Sequence, residues 1–365
     1  MPTTTPFFYQ PVTHTVTPEM RSPEFVQIST AAAITIGLTP GKMYRTACTH
    51  CLNILVTYPE GCRANCSYCG LARHREEARD YADRNFIRVD WPTVKYAELM
   101  DRLENGDDQG QFQRMCISMI THPESDRDTF ELLEQWQRRI PHIPVSILSN
   151  PTSLSYADLQ RMNALGADIF TVALDAVTPA IFDQTRGRAM ASPHRWEKYW
   201  QVLCWAAEIF GPERFGAHLI CGLGETEFEI LTVAQKIKDM GGHNHMFAFF
   251  PEQGSMMEDW PAVPMGQWRR VQLARYLIDF IGVRVEQMQF DGQGRLIHFA
   301  VSESELQRHI HTGLPFQTSG CPGSEDVKLS ACNRPYGDSA PSKIRSFPFR
   351  LNLQDTALIL KELWL

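Results

Sequence analysis

Short apolar runs alternate with longer amphipathic segments along most of the chain. Six runs read as strands: LNILVTY at 52–58, MCISMIT at 115–121, PVSILSN at 144–150, IFTVALDA at 169–176, FGAHLICGL at 215–223 and HMFAFFP at 245–251. Between them the apolar period lengthens to that of a helix. In DTFELLEQWQRRI the residues Phe130, Leu133, Trp136 and Ile140 recur at helical spacing. EFEILTVAQKIKDMGG repeats the pattern with Phe228, Leu231, Ala234 and Met240, then stops at a glycine pair suited to a C-cap. SYADLQRMNALGA opens on a serine cap and closes on glycine. Such alternation implies βαβ units and a parallel sheet, and so many units without a GxGxxG fingerprint favour a barrel over a doubly wound sheet. VRVEQMQFDGQGRLIHFAV, at 283–301, reads as a hairpin around Asp291 and Gly292. The expected organisation is an extended N-terminal arm over 1–45, a barrel over 46–300 and a C-terminal segment over 301–365. That last segment turns irregular from about Gln317, where Gly, Pro and Ser accumulate.

The totals narrow the class. A length of 365 residues suits one large α/β barrel or two average domains, and 43% hydrophobic with 21% charged residues describes a globular chain. A net charge of −7 argues against wholesale nucleic-acid binding. The N-terminus lacks a basic and apolar leader, and no stretch is apolar enough to span a bilayer, so a cytoplasmic protein with no membrane partner is expected. Ten cysteines in such a chain do not read as a disulfide framework. Cys116, Cys204 and Cys221 stand singly in apolar surroundings and read as small buried hydrophobes. The other seven fall into groups: Cys48 with Cys51, then Cys62, Cys66 and Cys69, then Cys321 and Cys332. Those groups point to metal or cluster ligation.

In EGCRANCSYCGLAR the CxxxCxxC spacing brings three soft thiolates onto one small object, which suits iron–sulfur chemistry. A structural zinc site borrowing Cys48 or Cys51 as fourth ligand is the alternative. The stretch from Cys62 to Cys69, just after the first candidate strand, resembles the signature of the radical S-adenosylmethionine (radical SAM) superfamily. The resemblance implies a radical SAM (β/α) TIM-type barrel, partial or full, with the arm and the irregular tail covering its mouth. It implies that Cys62, Cys66 and Cys69 are catalytic and hold a [4Fe–4S] cluster whose open iron chelates S-adenosylmethionine, with Tyr68 near the adenine. LICGLGETE is similar to the strand-end motif that lines the adenosine site, through Ile220, Gly222 and Glu225. TVALDAVTP resembles the biotin-synthase segment that contacts ribose and amino groups, with Asp175 at the acidic position and Ala173 where an asparagine stands in that enzyme. Arg186 and Arg188 fall where relatives carry an arginine for the methionyl carboxylate, and Ser149 and Asn150 are further ribose candidates.

The remaining thiols shape the expected reaction. Biotin synthase carries a second cluster on barrel-strand cysteines, and Cys116 fits one such position. Lipoyl synthases carry an auxiliary [4Fe–4S] cluster on cysteines outside the barrel and consume it as a sulfur source. The tail TSGCPGSEDVKLSACNRPYGDS resembles that of the two-component lipoyl synthases. By that likeness Cys48, Cys51, Cys321 and Cys332 would hold the auxiliary cluster, with Ser319 and Ser346 as conceivable oxygen ligands. The expected activity is that of a lipoyl synthase-type sulfurtransferase, inserting sulfur into an octanoyl chain on a lipoyl domain or carrier protein. The expected partners are that carrier, an electron donor such as ferredoxin or flavodoxin, and a second radical SAM protein. Another biotin-synthase-group enzyme (a mutase or methylornithine-type synthase), a non-catalytic iron–sulfur partner and a zinc protein remain open alternatives. Neither hydrolase acid–base constellations nor a GxSxG elbow appears, consistent with radical chemistry.

Overall fold

The computed structural model of the protein describes residues 19–45, 47–75, 85–86, 89–108, 110–323, 328–337 and 339–365. The first eighteen residues of the expected arm therefore lie outside the described residues.

Each of the six candidate strands forms, within a few residues of the expected bounds. They are β2 (Cys51–Val56), β4 (Arg114–Ser118), β5 (Val145–Ser149), β6 (Ala167–Asp175), β7 (Phe215–Cys221) and β8 (His243–Ala248). Two more strands, β1 (Phe25–Ile28) and β3 (Thr93–Lys95), complete one eight-stranded sheet in the order β8-β7-β6-β5-β4-β2-β1-β3. The run from β2 through β8 is parallel, and β1 joins it antiparallel, pairing Val26 with Val56 and, on its other side, with Val94. Phe25–Ile28 and the short helix α1 (Thr30–Thr35) fall in the stretch expected as an extended arm. Three of the four residues of β1 are buried, and apolar burial between two paired strands outweighs the absence of a longer sequence period.

Helices return the chain between strands. After α2 (Tyr96–Glu104), α3 (Ser125–Arg139) buries Phe130, Leu133 and Trp136 as its period required. The helix α4 (Tyr156–Ala164) starts on a capping box in which the Ser155 hydroxyl and the Asp158 carboxylate satisfy each other's backbone N–H, and Gly166 beyond its end takes φ +92°. Further on come α5 (Pro179–Thr185), α6 (Trp196–Phe210), α7 (Glu227–Asp239) and α8 (Met265–Tyr276). On α7 the buried face is Ile230, Leu231, Ala234 and Ile237, whereas Phe228 is 47% exposed and packs edge-on against Phe290. Only part of the apolar set expected for that helix faces the core. The hairpin is shorter than expected: β9 (Gln289–Phe290) pairs with β10 (Leu296–His298) across the Asp291–Arg295 turn. The C-terminal segment is more ordered than its composition implied, carrying α9 (Glu303–Thr312) and α10 (Leu353–Glu362), the latter capped by Asn352. Among the described residues no helix is long and apolar enough to cross a membrane.

The sheet does not close on itself. Its edge strands are β8 and β3, and the tail bridges from β8 to the residues that precede β2. The Ser319 hydroxyl accepts from Met246 N at 2.8 Å and donates to Met246 O at 3.1 Å, fastening the tail to β8. Asn333 does the same at β2, donating from Nδ2 to Cys48 O at 2.6 Å and accepting from His50 N at 3.2 Å. Arg114, at the start of β4, donates to Pro322 O at 3.1 Å. The tail thus covers the open side and the N-terminal ends of the strands, opposite the loops that follow the strand C-termini. These bonds give Ser319 a clamping role in place of ligation. Ser346 is buried beside Arg345, whose carbonyl accepts from Trp268 and Arg269 on α8, so it belongs to the tail's packing on that helix.

The strands also run close. A Cβ added at Gly216 on β7 would lie 2.5 Å from His243 O on β8. Gly216→Ala is expected to lower stability by about 1–3 kcal/mol, the usual cost of overpacking. Chemical denaturation reads this directly, and an unchanged midpoint would contradict the close approach.

Candidate functional site

The loop that follows β2 carries Cys62, Cys66 and Cys69, and backbone contacts fix it against three other elements. Arg63 N donates to Thr121 O at 2.8 Å, Ser67 N to Thr185 O at 2.7 Å, and Asn65 N to Ser192 Oγ at 3.2 Å. Two internal turns, Cys69 N to Cys66 O and Ala72 N to Cys69 O, each 3.1 Å, curl the loop so that its thiols converge. All three line one cavity of about 210 Å³. Burial pushes each thiol up, Cys66 to about 12, with the Arg186 charge opposing the shift at Cys62 and Cys66. Neutral thiols packed this deeply need a cationic centre to be held as thiolates.

Beside them lies one buried cation. Arg186, 1% exposed, reaches from the end of α5 to Asp175 and to Ala173 O, and donates to Asn150 Oδ1 at 3.1 Å and Tyr199 Oη at 3.0 Å. Tyr68 Oη donates to Asp175 Oδ2 at 2.6 Å. Asp175 itself sits at φ +61°, where a register shift breaks the ladder between β6 and β7 and turns its carboxylate to the cavity. Arg186 Nε and His194 Nε2 remain buried without partners, so the cluster of polar groups is unsaturated toward the cavity. Burial, then the Arg186 charge, holds His194 well below its usual range, so it is neutral at pH 7. Farther in, Trp91, Leu148, Ile220, Phe247, Phe249 and Phe250 supply an apolar wall.

The floor of the same cavity carries a second sulfur group. Cys51 from β2, Cys116 from β4 and Cys332 from the tail pack together, all buried. Asn53 Nδ2 faces Cys332 Sγ at 3.3 Å and Cys51 Sγ at 3.6 Å. Cys321 joins them because the tail doubles back: Ala331 N and Cys332 N both donate to Cys321 O, and Gly323 N to Leu329 O. The Cys332 thiol is held well below its usual range by hydrogen bonds from Cys116 and Cys51, with help from Arg334 and Asn53. Cys51 is pushed well up, mainly by burial, and Cys116 well up by its bond to Cys332 and by burial. Burial raises Cys321 to about 11 against the pull of Arg114 and a bond to Ser146. All ten cysteines are free. Among the described residues no group of three or more His, Cys, Asp or Glu is spaced to hold a single metal ion. A multi-iron cluster spreads its thiolates more widely than one ion does, and the soft, buried, all-sulfur donor sets fit such clusters.

Against the sequence expectations, Cys62, Cys66, Cys69, Tyr68, Asn150, Asp175, Arg186 and Ile220 all line the cavity. Gly222 lies just beyond, at φ +111°, where a side chain would meet Val263 and Phe249 at about 3 Å. Four residues fall elsewhere. Glu225 turns back into its own loop, accepting from Gly222 N at 2.6 Å and Leu223 N at 2.9 Å. Ser149 bonds Thr171 O across the ladder, on the strand face away from the cavity. Arg188 lines a separate hollow with Arg63, Arg73 and Arg195. Cys48 lies before β2 begins and contacts His50 Nε2 at 3.3 Å, apart from the other thiols, and Cys116 takes the place expected for it. Cys221 is buried as expected, but Cys204 is exposed. Sequence reasoning missed Asn53, His194, Tyr199, His218 and Arg334; the period-two pattern of β2 and β7 could have flagged Asn53 and His218 as inward polar positions. A larger hollow of about 760 Å³ beside α3 is lined mainly by charged helix side chains and holds none of these residues.

A model of the radical SAM superfamily matches residues 56–237. No curated protein matches the chain. Among solved structures, HydG, a maturase of the [FeFe]-hydrogenase, aligns at 13% identity and a TM-score of 0.50, over 68% of this chain and 53% of that one. The HydG of Carboxydothermus hydrogenoformans aligns at 17% identity and TM-score 0.45, over 61% and 50%. Methylornithine synthase (PylB) aligns at 12% identity and TM-score 0.44, over 64% and 61%. The chain thus spans about half to three fifths of the length of these structures, and at such identity the first of them speaks to the fold alone.

Two outcomes follow from the geometry. Asp175→Asn leaves the Arg186 charge buried without its counter-ion and is expected to cost about 3–5 kcal/mol; a denaturation midpoint equal to that of the native protein would contradict the pairing. In metal-free protein the raised thiol pKa values leave Cys62, Cys66 and Cys69 protonated near neutrality. Their alkylation by iodoacetamide should be slow at about pH 7 and accelerate as pH rises past about 9, where ordinary thiols level off. Mass spectrometry of the labelled peptides reads the rate, and a plateau by about pH 8 would contradict the burial.

Proposed function

The chain belongs to the radical SAM superfamily, and from that premise we propose that it is a sulfur-inserting enzyme of the lipoyl synthase type, acting on a protein-bound octanoyl chain. One observation carries the proposal: a single cavity has the Cys62, Cys66 and Cys69 thiols at its mouth and Cys116 and Cys332 at its floor, with an apolar wall between. Cys62, Cys66 and Cys69 would hold the [4Fe–4S] cluster, and Cys51, Cys116, Cys321 and Cys332 a second iron–sulfur centre. When bound, the first with S-adenosylmethionine supplies a hydrogen-abstracting adenosyl radical and the second supplies sulfur.

The chain's own residues then do the positioning. Asp175 and Asn150, held in place by Arg186, Tyr68 and Tyr199, present carboxylate and amide oxygens where an amino or hydroxyl group of the cosubstrate would bind. Arg186 balances the negative charge that thiolates and a methionyl carboxylate bring into a buried site. Leu148, Ile220, Phe247 and Phe249 form a dry wall that accepts an alkyl chain and keeps water from a reactive radical. A carrier protein would present the acyl chain from outside, and a small electron-transfer protein such as ferredoxin or flavodoxin would supply reducing equivalents. A second radical SAM protein is the proposed source of the other sulfur insertion.

The test is anaerobic incubation of reconstituted protein with an octanoyl-lysine peptide, S-adenosylmethionine and reductant, followed by mass spectrometry. The expected product is the peptide heavier by one inserted sulfur, with 5′-deoxyadenosine formed alongside. Release of 5′-deoxyadenosine with an unchanged peptide would sink the acyl assignment and favour another radical SAM reaction.

A further inference from the structure

Four arginines near the cavity have no part in the site as described so far. Arg63 and Arg73 come from the loop that carries Cys62, Cys66 and Cys69, and Arg188 and Arg195 from the segment between α5 and α6. All four are exposed, and they line one hollow of about 600 Å³. Thr121 and His122, which follow β4, and Asn150 and Thr152, which follow β5, line it too. The hollow therefore sits at the C-terminal end of the parallel strands, beside the cysteine loop. Ile120 and Asn150 line both the hollow and the cavity, so the two adjoin.

The rim of the hollow is held in place before any ligand arrives. Arg195 Nη1 donates to Ser192 O at 2.9 Å and His194 O at 2.6 Å, and Arg73 Nη2 donates to Ala191 O at 3.3 Å. Asn65 Nδ2 donates to Met190 O at 3.1 Å, which ties the same segment to the cysteine loop. What the hollow lacks is negative charge. No Asp or Glu lines it, and among the described residues none of the four guanidinium groups pairs with a carboxylate. Exposed arginines elsewhere do pair, Arg161 with Glu134 at 3.2 Å and Arg284 with Asp239 at 2.9 Å. Asp183, close to Arg188 in sequence, accepts from the Arg188 backbone N–H at 2.8 Å. In a chain of net charge −7, four like charges around one concave surface focus a positive field there.

We propose that this hollow is the docking face for the protein that presents the acyl chain, and that this partner carries Asp or Glu side chains beside its acylated lysine. The proposal rests on the sulfur-insertion reading above. An acyl chain has to enter the cavity, and a protein that feeds it past Ile120 and Asn150 brings its own surface against the arginines. An electron donor has to approach the cluster but not to enter the cavity, so the junction of hollow and cavity favours the acyl-bearing partner. Charges on such a rim act on encounter rate and salt dependence, and their attraction is screened beyond about 10 Å at 0.1 M salt.

The test uses the full-length reconstituted protein with S-adenosylmethionine and three fluorescent octanoyl-lysine peptides of equal length. One is flanked by Asp and Glu, one by Asn and Gln, and one by Lys. Anaerobic fluorescence anisotropy at low salt is expected to rank them acidic, neutral, basic, with the acidic peptide bound about tenfold tighter than the neutral one. That advantage should shrink toward parity as salt rises to about 1 M. A triple variant, Arg63→Gln with Arg188→Gln and Arg195→Gln, should lose most of it, whereas Arg284→Gln, beside the far end of α7, should keep it. Equal affinity of the native protein for the acidic and neutral peptides would overturn the proposal, and that comparison needs no variant to fold. A preference for the acidic peptide that survives in the triple variant would overturn it by placing the acid-binding surface elsewhere. Slower cluster reduction by flavodoxin in that variant, with peptide affinities unchanged, would overturn it in favour of an electron-donor face. Sulfur insertion without acid preference removes the docking face alone, whereas acid preference without sulfur insertion removes the reading on which it rests.

Discussion

The floor of the cavity depends on how the tail is held across a sheet that stays open. The sheet ends at β8 and β3 with no pairing between β8 and β2, so backbone groups at the gap need other partners. The Asn333 side chain supplies a strand-like pair of hydrogen bonds to Cys48 O and His50 N, while Ser319 makes the matching pair to Met246. Those two clamps flank Cys321 and Cys332, and Cys332 N donates to Cys321 O. Gly320 is needed there because a side chain would press on Cys332 O at 2.7 Å and its Cβ at 2.9 Å. The sulfur group is thus a product of tertiary closure, assembled from β2, β4 and the tail at once.

The mouth is organised by charge. Arg186 is the buried cation around which Asp175, Asn150, Tyr199 and Tyr68 arrange their polar atoms, and its field reaches Cys62 and Cys66. Burying a lone guanidinium is expensive, and the Asp175 carboxylate with three further acceptors offsets that cost. The result is a site with donors and acceptors already oriented at one end, sulfur at the other, and aromatic carbon between. That gradient, polar to apolar to sulfur, makes the sulfur-insertion proposal more specific than superfamily membership alone.

Much of this was legible in the sequence where the signal was local. The six parallel strands, the Ser155 cap and the CxxxCxxC loop each depend on residues close in the chain, and each formed where expected. Asp175 and Arg186 were found through motif likeness, and the structure pairs them. What depended on distant closure was not legible. Cys48 shares a CxxC with Cys51, yet a strand begins between them, so Cys51 faces inward while Cys48 turns to His50. Cys116 looked like an isolated hydrophobe because its sulfur neighbours come from another strand and from the tail. Glu225 was misplaced for a similar reason: a carboxylate two or three residues after a glycine turn satisfies that turn's own N–H groups before it reaches a ligand.

The most direct measurement is iron and sulfide content per chain after anaerobic reconstitution, with Mössbauer spectra, compared among the native protein, Cys116→Ala and Cys48→Ala. Two cube-type clusters would give about eight irons per chain in the native protein. The account expects Cys116→Ala to fall to about four, with the first cluster's signature intact, and Cys48→Ala to keep the native content. About four irons in the native protein, or a loss on Cys48→Ala with none on Cys116→Ala, would contradict it.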